Sequence, residues 1–210
     1  DAGVDRVTLA GADSVKVLYG RDFSVAATGA PKTLDQLDIH REGATLVIAR
    51  KKDRGWKLNW GKKSQSAEVT VTMPLLRAAS LSGAGDLNVA TATPEDTFSA
   101  SLAGTGSLNV DNSRAKAVNL SLTGAGDMKL RGAADTVKAQ LTGTGNMDAA
   151  ALAAREVDIS LTGAGNISAN ASELATGTLS GVGNVDVVGA ARCAVRKSGV
   201  GNVRCGTARE

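Results

Sequence analysis

Residues 50–63 read RKKDRGWKLNWGKK, and this stretch gathers the groups best suited to recognition. Arg50, Lys51, Lys52, Arg54, Lys57, Lys62 and Lys63 face a single acid, Asp53, and both tryptophans of the protein, Trp56 and Trp60, stand among them. Indole rings beside cations can stack on sugars or bases, or settle at a lipid headgroup layer. Their charge gives a salt-sensitive attraction to anionic surfaces. The same residues also fit a solvated hairpin whose tryptophans cover the end of a larger structure while its lysines deter strand pairing.

Catalytic chemistry has less to stand on. His40 is the one imidazole, flanked by Asp38 and Arg41, so neither a Ser-His-Asp nor a Cys-His site is expected and His40 reads as a surface residue. Glycosidase-type chemistry needs clustered carboxylates. Asp86 and Asp127 fall two repeats apart, about 10 Å, too far to share one small cation. Asp135, Asp148 and Glu156 form no column. No catalytic residue, cofactor or metal site is therefore expected.

A third set of chemical residues is the recurring Gly-x-Gly, of which LTGAGNIS at 161–168 is one copy. A phosphate-cradling loop uses one such motif between a strand and a helix, so that the helix N-terminus faces the anion. Here the first glycine recurs at Gly83, Gly104, Gly124, Gly143, Gly163, Gly181 and Gly199, spaced by 21, 20, 19, 20, 18 and 18 residues. A fixed period changes what the motif means. The residue after the second glycine is Asp86, Ser107, Asp127, Asn146, Asn166, Asn184 or Asn202, and mostly neutral amides are poor calcium ligands. The column suits a stacked turn ladder instead, with glycine supplying positive φ and Asn or Asp side chains bonding to backbone groups one repeat away.

The elements that position these residues follow from the same alignment. Two residues before the glycine stand Leu81, Leu102, Leu122, Leu141, Leu161 and Leu179; four after it stand Leu87, Leu108, Met128, Met147, Ile167, Val185 and Val203. Six before it are Phe98, Val118, Val137 and Val157, followed by polar residues. Spacing by two marks strands with one inward face. A unit of about 20 residues with two short strands has no room for a helix and cannot bury its apolar side alone, so it must stack on its neighbours. Aromatics are only 2% of the 210 residues against 25 glycines, which calls for a narrow aliphatic core. The expected fold is all-β, a right-handed parallel β-helix, right-handed because parallel crossovers are. Residues 76–210 form seven coils, a rod roughly 30 Å long.

Residues 1–75 depart from the repeat and read as N-terminal strands, hairpins and cap of the same continuous domain. Val15, Val17 and Tyr19 share one face, a turn falls at Gly20, and Phe23, Val25 and Ala27 return; a second hairpin turns at REGAT between LDI and LVI. Cys193 and Cys205 lie six residues either side of Gly199, in columns held elsewhere by Val157 and Val187, and both are expected to point inward. They read as a structural disulfide of an oxidising compartment, worth about 3 kcal/mol, against the alternative of two buried reduced thiols. Lys197 takes the leucine column in the last coil, as expected of a cap.

The run AEVTVTMPLLRAASLSGAGDLNV, with SLTGAGDM and LSGVGNV later, resembles the GIN domain family of auto-transporter adhesin heads. The resemblance covers nearly the whole chain. It implies an exported bacterial β-helical protein without catalytic residues, periplasmic, outer-membrane-associated or at the cell surface. On this reading the protein is an adhesin-like or cell-envelope scaffold that meets cell-surface polysaccharide or other envelope components, or itself. The competing reading is a binding module for anionic glycan or lipid acting through residues 50–63. No nucleic-acid partner is expected, and no segment approaches the roughly 18 apolar residues of a membrane span.

Overall fold

The computed structural model describes residues 3–51, 66–92, 94 and 96–206. It is a β-solenoid of about six turns, 75% strand and 2% helix. Seven glycine corners stack in register from Gly83 to Gly199 and bound those turns.

The repeat is built as the spacing predicts, with one addition. The central turns are each a single run from the residue after one corner to the glycine of the next: β10 (Ser107–Gly124), β11 (Asp127–Gly143), β12 (Asn146–Gly163) and β13 (Asn166–Gly181). Two short strands per unit were the expectation; the connecting side also joins the parallel ladder, with register shifts between Val110 and Ser113, Lys129 and Arg131, and Ala149 and Ala153. Sequences such as DNSRAK and RGAADT carry no period-two alternation to betray it. Backbone pairing between coils needs none.

Each inward column is a continuous apolar stack. Leu9, Leu81, Leu102, Leu122, Leu141, Leu161 and Leu179 are all buried, as are Val15, Leu87, Leu108, Met128, Met147, Ile167 and Val185. The shorter terminal turns have a narrower core. The inward pair Val157 and Ile159 of a 20-residue turn gives way to Ala175 and Gly177 where the turns shorten to 18 residues. A narrower core needs a shorter circumference to stay close-packed.

The N-terminal portion contains two further rungs. β1 (Arg6–Gly11) lies parallel to β7 (Ala78–Gly83), with Gly11 paired to Gly83, and β2 (Ser14–Tyr19) lies parallel to β8 (Asp86–Val89). LAGADSV is thus a solenoid corner, with Asp13 where the repeat has its second glycine. Beneath it, β5 (Thr45–Arg50) is parallel to β1 and β6 (Glu68–Met73) parallel to β2, and in sequence residues 51–67 connect the two. Two antiparallel strands border this end: β3 (Ser24–Thr28) against β6 and β4 (Leu37–Glu42) against β5. A one-turn helix, α1 (Pro31–Leu34), joins them.

The second hairpin is therefore present and the first is not. β2 and β3 do not pair across Gly20, because β6 lies between them, parallel to one and antiparallel to the other. Tyr19, read on one face with Val15 and Val17, sits at the last pair of β2 and is 61% exposed while those two are buried. Parallel pairing of β2 with both β6 and β8 continues the rod; a local hairpin would have interrupted it.

Candidate functional site: the corner edge and its N-terminal clamp

The glycine corners run along one edge of the rod, and the basic segment enters and leaves at the foot of that same edge. In the repeating corners, backbone amides hand over from coil to coil: Thr105 N–H donates to the Gly83 carbonyl at 3.0 Å and Ser107 N–H to the Gly85 carbonyl at 3.0 Å. The second glycine is required by this closeness, since a Cβ at Gly145 would press into the Gly126 carbonyl oxygen. Asp13 carries a side chain at the equivalent place, where its backbone carbonyl accepts from the Asp86 N–H at 3.0 Å.

That side chain fastens the two described ends of the connection, Arg50 and Ala67. Asp13 is 1% exposed. Arg50 Nε donates to Asp13 Oδ2 at 2.9 Å and Arg50 Nη2 to Oδ1 at 2.6 Å, while the Ala67 N–H donates to Oδ1 at 2.9 Å. Ser14 N–H donates back to the Ala67 carbonyl at 2.9 Å. One carboxylate thus holds the residue that opens the segment and the residue that closes it. The bidentate Arg50 bonds hold the Asp13 carboxyl below its usual range, helped by the Ala67 N–H and opposed by burial.

Arg50 belongs to this clamp, with its side chain 24% exposed. Lys51 is tied beside it, its N–H to the Gln36 carbonyl at 2.8 Å and its Nζ to the Asp35 carbonyl at 3.0 Å. Lys52, Arg54, Trp56, Lys57, Trp60, Lys62 and Lys63 lie outside the described residues. Sequence reading missed Asp13, although the signal was there: Leu9 and Val15 stand two before and four after Gly11, the offsets of every other corner.

Above the clamp runs the amide ladder. Asn146 Nδ2 donates to Asp127 Oδ1 at 3.0 Å, Asn166 Nδ2 to Asn146 Oδ1 at 2.8 Å, Asn184 Nδ2 to Asn166 Oδ1 at 2.8 Å, and Asn202 Nδ2 to Asn184 Oδ1 at 3.3 Å. These side chains bond mostly to one another, where backbone partners were expected. Asp86 and Ser107 share the column lower down. A parallel rung at Asn88 and Asn109 is bonded at 3.0 Å.

His40 sits on the border strand β4, its Nε2 3.2 Å from Glu42 Oε1 and its Nδ1 3.3 Å from Asp38 Oδ1. The Glu42 bond leads in raising its pKa above the ordinary 6.5, Asp38 adds to it, and desolvation opposes both. The stabilisation it lends is complete below the unfolded-state value and disappears as pH rises through the raised, folded-state one. A histidine NMR titration is expected to give a midpoint above 6.5, returning toward it in the Glu42→Gln variant. An unchanged midpoint there would remove Glu42 as the cause.

Cys193 and Cys205 form the disulfide, their Cα atoms 6.3 Å apart. They occupy the inward columns, paired with Ala175 and Val187, yet both are exposed. An inward column buries its members only when another rung follows, and among the described residues none does. Lys197, paired with Leu179, is exposed for the same reason. Reduction is expected to free the last turn selectively, with amide exchange rising in β15 (Arg192–Gly199) and β16 (Asn202–Gly206), and a loss there approaching 3 kcal/mol. Uniform acceleration across the central strands would contradict a purely terminal role.

A family profile described as "Putative auto-transporter adhesin, head GIN domain" matches residues 4–191. The chain belongs to the GIN domain family. Its match begins before the Asp13 corner and ends at residue 191, so the clamp and the corners from Gly11 to Gly181 lie inside the family unit and the disulfide-bonded last turn lies beyond it. The GIN domain fold is also seen in a solved "putative adhesin" of Bacteroides fragilis, with a TM-score of 0.86 and 22% identity, covering 96% of this chain and 92% of that one. A "putative lipid binding protein" of Parabacteroides distasonis superposes at a TM-score of 0.74 and 18% identity, covering 96% and 92%. A "putative adhesin" from the same organism does so at 0.69 and 18%, covering 98% and 93%. Identities this low speak to the fold. None of these names is that of an enzyme. Among curated proteins, none matches the chain. No helix among the described residues is long and apolar enough to cross a membrane.

Proposed function

We propose that this GIN domain is a non-catalytic, exported envelope scaffold of adhesin-like role, a rod that holds an attachment surface away from its anchor point. The supporting observation is the ladder from Asp127 to Asn202, in which the polar side chains of the corner edge bond one to the next. Groups committed to holding rungs in register are the groups of a scaffold. The disulfide fits an oxidising compartment, periplasmic or at the surface. Cell-surface polysaccharide and other envelope components are the partners of this reading. The test is retention of the purified chain on isolated envelope fractions and on a panel of envelope polysaccharides. Measurable turnover of any polysaccharide on that panel would sink the non-catalytic part, and absence of retention on all of them the adhesive part.

A second reading has its own support. Asp13 fastens Arg50 and Ala67, the two ends of a segment that carries between them six cations and both tryptophans, which suits a binding module for anionic glycan or lipid. The "lipid binding" name of one structural neighbour points the same way. Replacing Trp56, Trp60, Lys57, Lys62 and Lys63 together is expected to abolish retention on anionic polysaccharide or anionic vesicles at low salt. Retention equal to the unaltered chain would dismiss the module and leave the scaffold.

A further inference from the structure

The two ends of the rod are finished in opposite ways. At the N-terminal end, antiparallel β3 and β4 border the outermost rung, and α1 joins them. At the other end β15 pairs with β13 and β16 with β14, and no described strand takes their outer edges. Each such edge carries a row of backbone donors and acceptors suited to pairing with a further extended strand.

Three features distinguish this terminal turn from a merely frayed one. The Cys193–Cys205 bond ties β15 to β16, so the two edges are held together as one template. Val195 and Val203 are only half-covered, and with the disulfide they make an apolar platform over Ala175, Gly177, Val185 and Val187. The charged residues between Gly189 and Gly206 are Arg192, Arg196, Lys197 and Arg204, all cationic. Lys197 stands in the column that every earlier turn fills with leucine. A further rung of this chain's own kind would bury that ammonium against a leucine, at a heavy desolvation cost. Two copies meeting at this end would set four cations against four.

We propose that the terminal turn is an acceptor edge for an extended acidic segment of a partner protein, which adds as the next rung and places a carboxylate over Lys197. Backbone pairing to β15 and β16 supplies the affinity, the half-covered valines take the partner's apolar side chains, and the four cations select an acidic strand over a neutral or basic one. This inference stands apart from the envelope-attachment reading, since it uses the opposite end of the rod from residues 50–63.

Two ten-residue peptides decide it, both with valine at alternate positions, one with glutamate and the other with lysine between. The glutamate peptide is expected to slow amide exchange in β15 and β16, with affinity falling as salt rises, while the lysine peptide leaves them unchanged. Lys197→Leu should weaken the glutamate peptide roughly 30-fold, the loss expected for removing one member of a buried charge pair. Lys197→Arg should keep most of it. No protection by either peptide, equal protection by both, or protection confined to residues beside the 50–63 segment overturns the proposal. So does an undiminished affinity in Lys197→Leu, or association of the chain with itself through β15 and β16 in the absence of peptide.

Discussion

Asp13→Ala is expected to lower the unfolding free energy by about 3 kcal/mol, because it leaves the half-buried Arg50 guanidinium and the Ala67 N–H without their partner in a place water reaches poorly. Arg50 is partly exposed, which keeps the figure at the low end of what breaking a buried ion pair costs. Asp13→Asn keeps an acceptor for Ala67 and should fall between. The pH dependence carries the matching sign. A carboxyl held below its usual value contributes stability that is present above the unfolded-state pKa, near 3.8, and is lost as pH falls through the lowered folded-state one. The unaltered chain should therefore lose stability on acidification below about pH 4, and Asp13→Ala should lack that part of the loss. Both tryptophans lie between the two clamped ends, so their emission should shift in Asp13→Ala while the sheet signal stays. An unfolding midpoint equal to that of the unaltered chain would show that Asp13 fastens nothing.

Gly143→Ala should be at least as costly. Gly143 has φ +130°, which L side chains avoid, and its Cβ would press into the carbonyl oxygen of Gly124 in the preceding corner. Backbone strain alone is about 1–3 kcal/mol, and the displaced coil contact adds to it. The position is in the middle of a stack in which each turn depends on its neighbours, so the rod cannot relieve the clash by peeling at an end. The same change at Gly199 meets Gly181 in the same way but lies in the last turn, which can move away, and should cost less. Equal denaturation midpoints for the two variants would contradict the nearest-neighbour account of this rod.

The resemblance to the GIN domain family and the β-solenoid were both readable from residues. Seven glycines at a spacing of 18 to 21, six with leucine two before and all with an apolar residue four after, admit little else than stacked corners, because each offset recurs whatever the residues between. The turn ladder was readable as a column, though its members bond side chain to side chain, which depends on the distance between rungs. The disulfide columns were readable too. Their exposure was not, since it depends on what lies beyond the last rung and not on the strand's own alternation.

The N-terminal region shows where local reading stops. Gly20 between two alternating runs signals a hairpin, and the chain declines it: β6, some 50 residues on, inserts between β2 and β3. Turn chemistry is a short-range preference, whereas an added parallel rung buries Val69, Val71 and Met73 in the rod at once. By itself the sequence determined the stacked corners, the inward aliphatic columns and the two cysteines of the terminal turn, because a period written in residue types survives without knowing any contact. Only the tertiary structure decided the order of the N-terminal rungs, the burial of Asp13 against Arg50 and Ala67, and the cationic edge at the other end that no described strand covers. Those depend on which distant strands become neighbours, and pairing energy between strands far apart in sequence leaves no local mark.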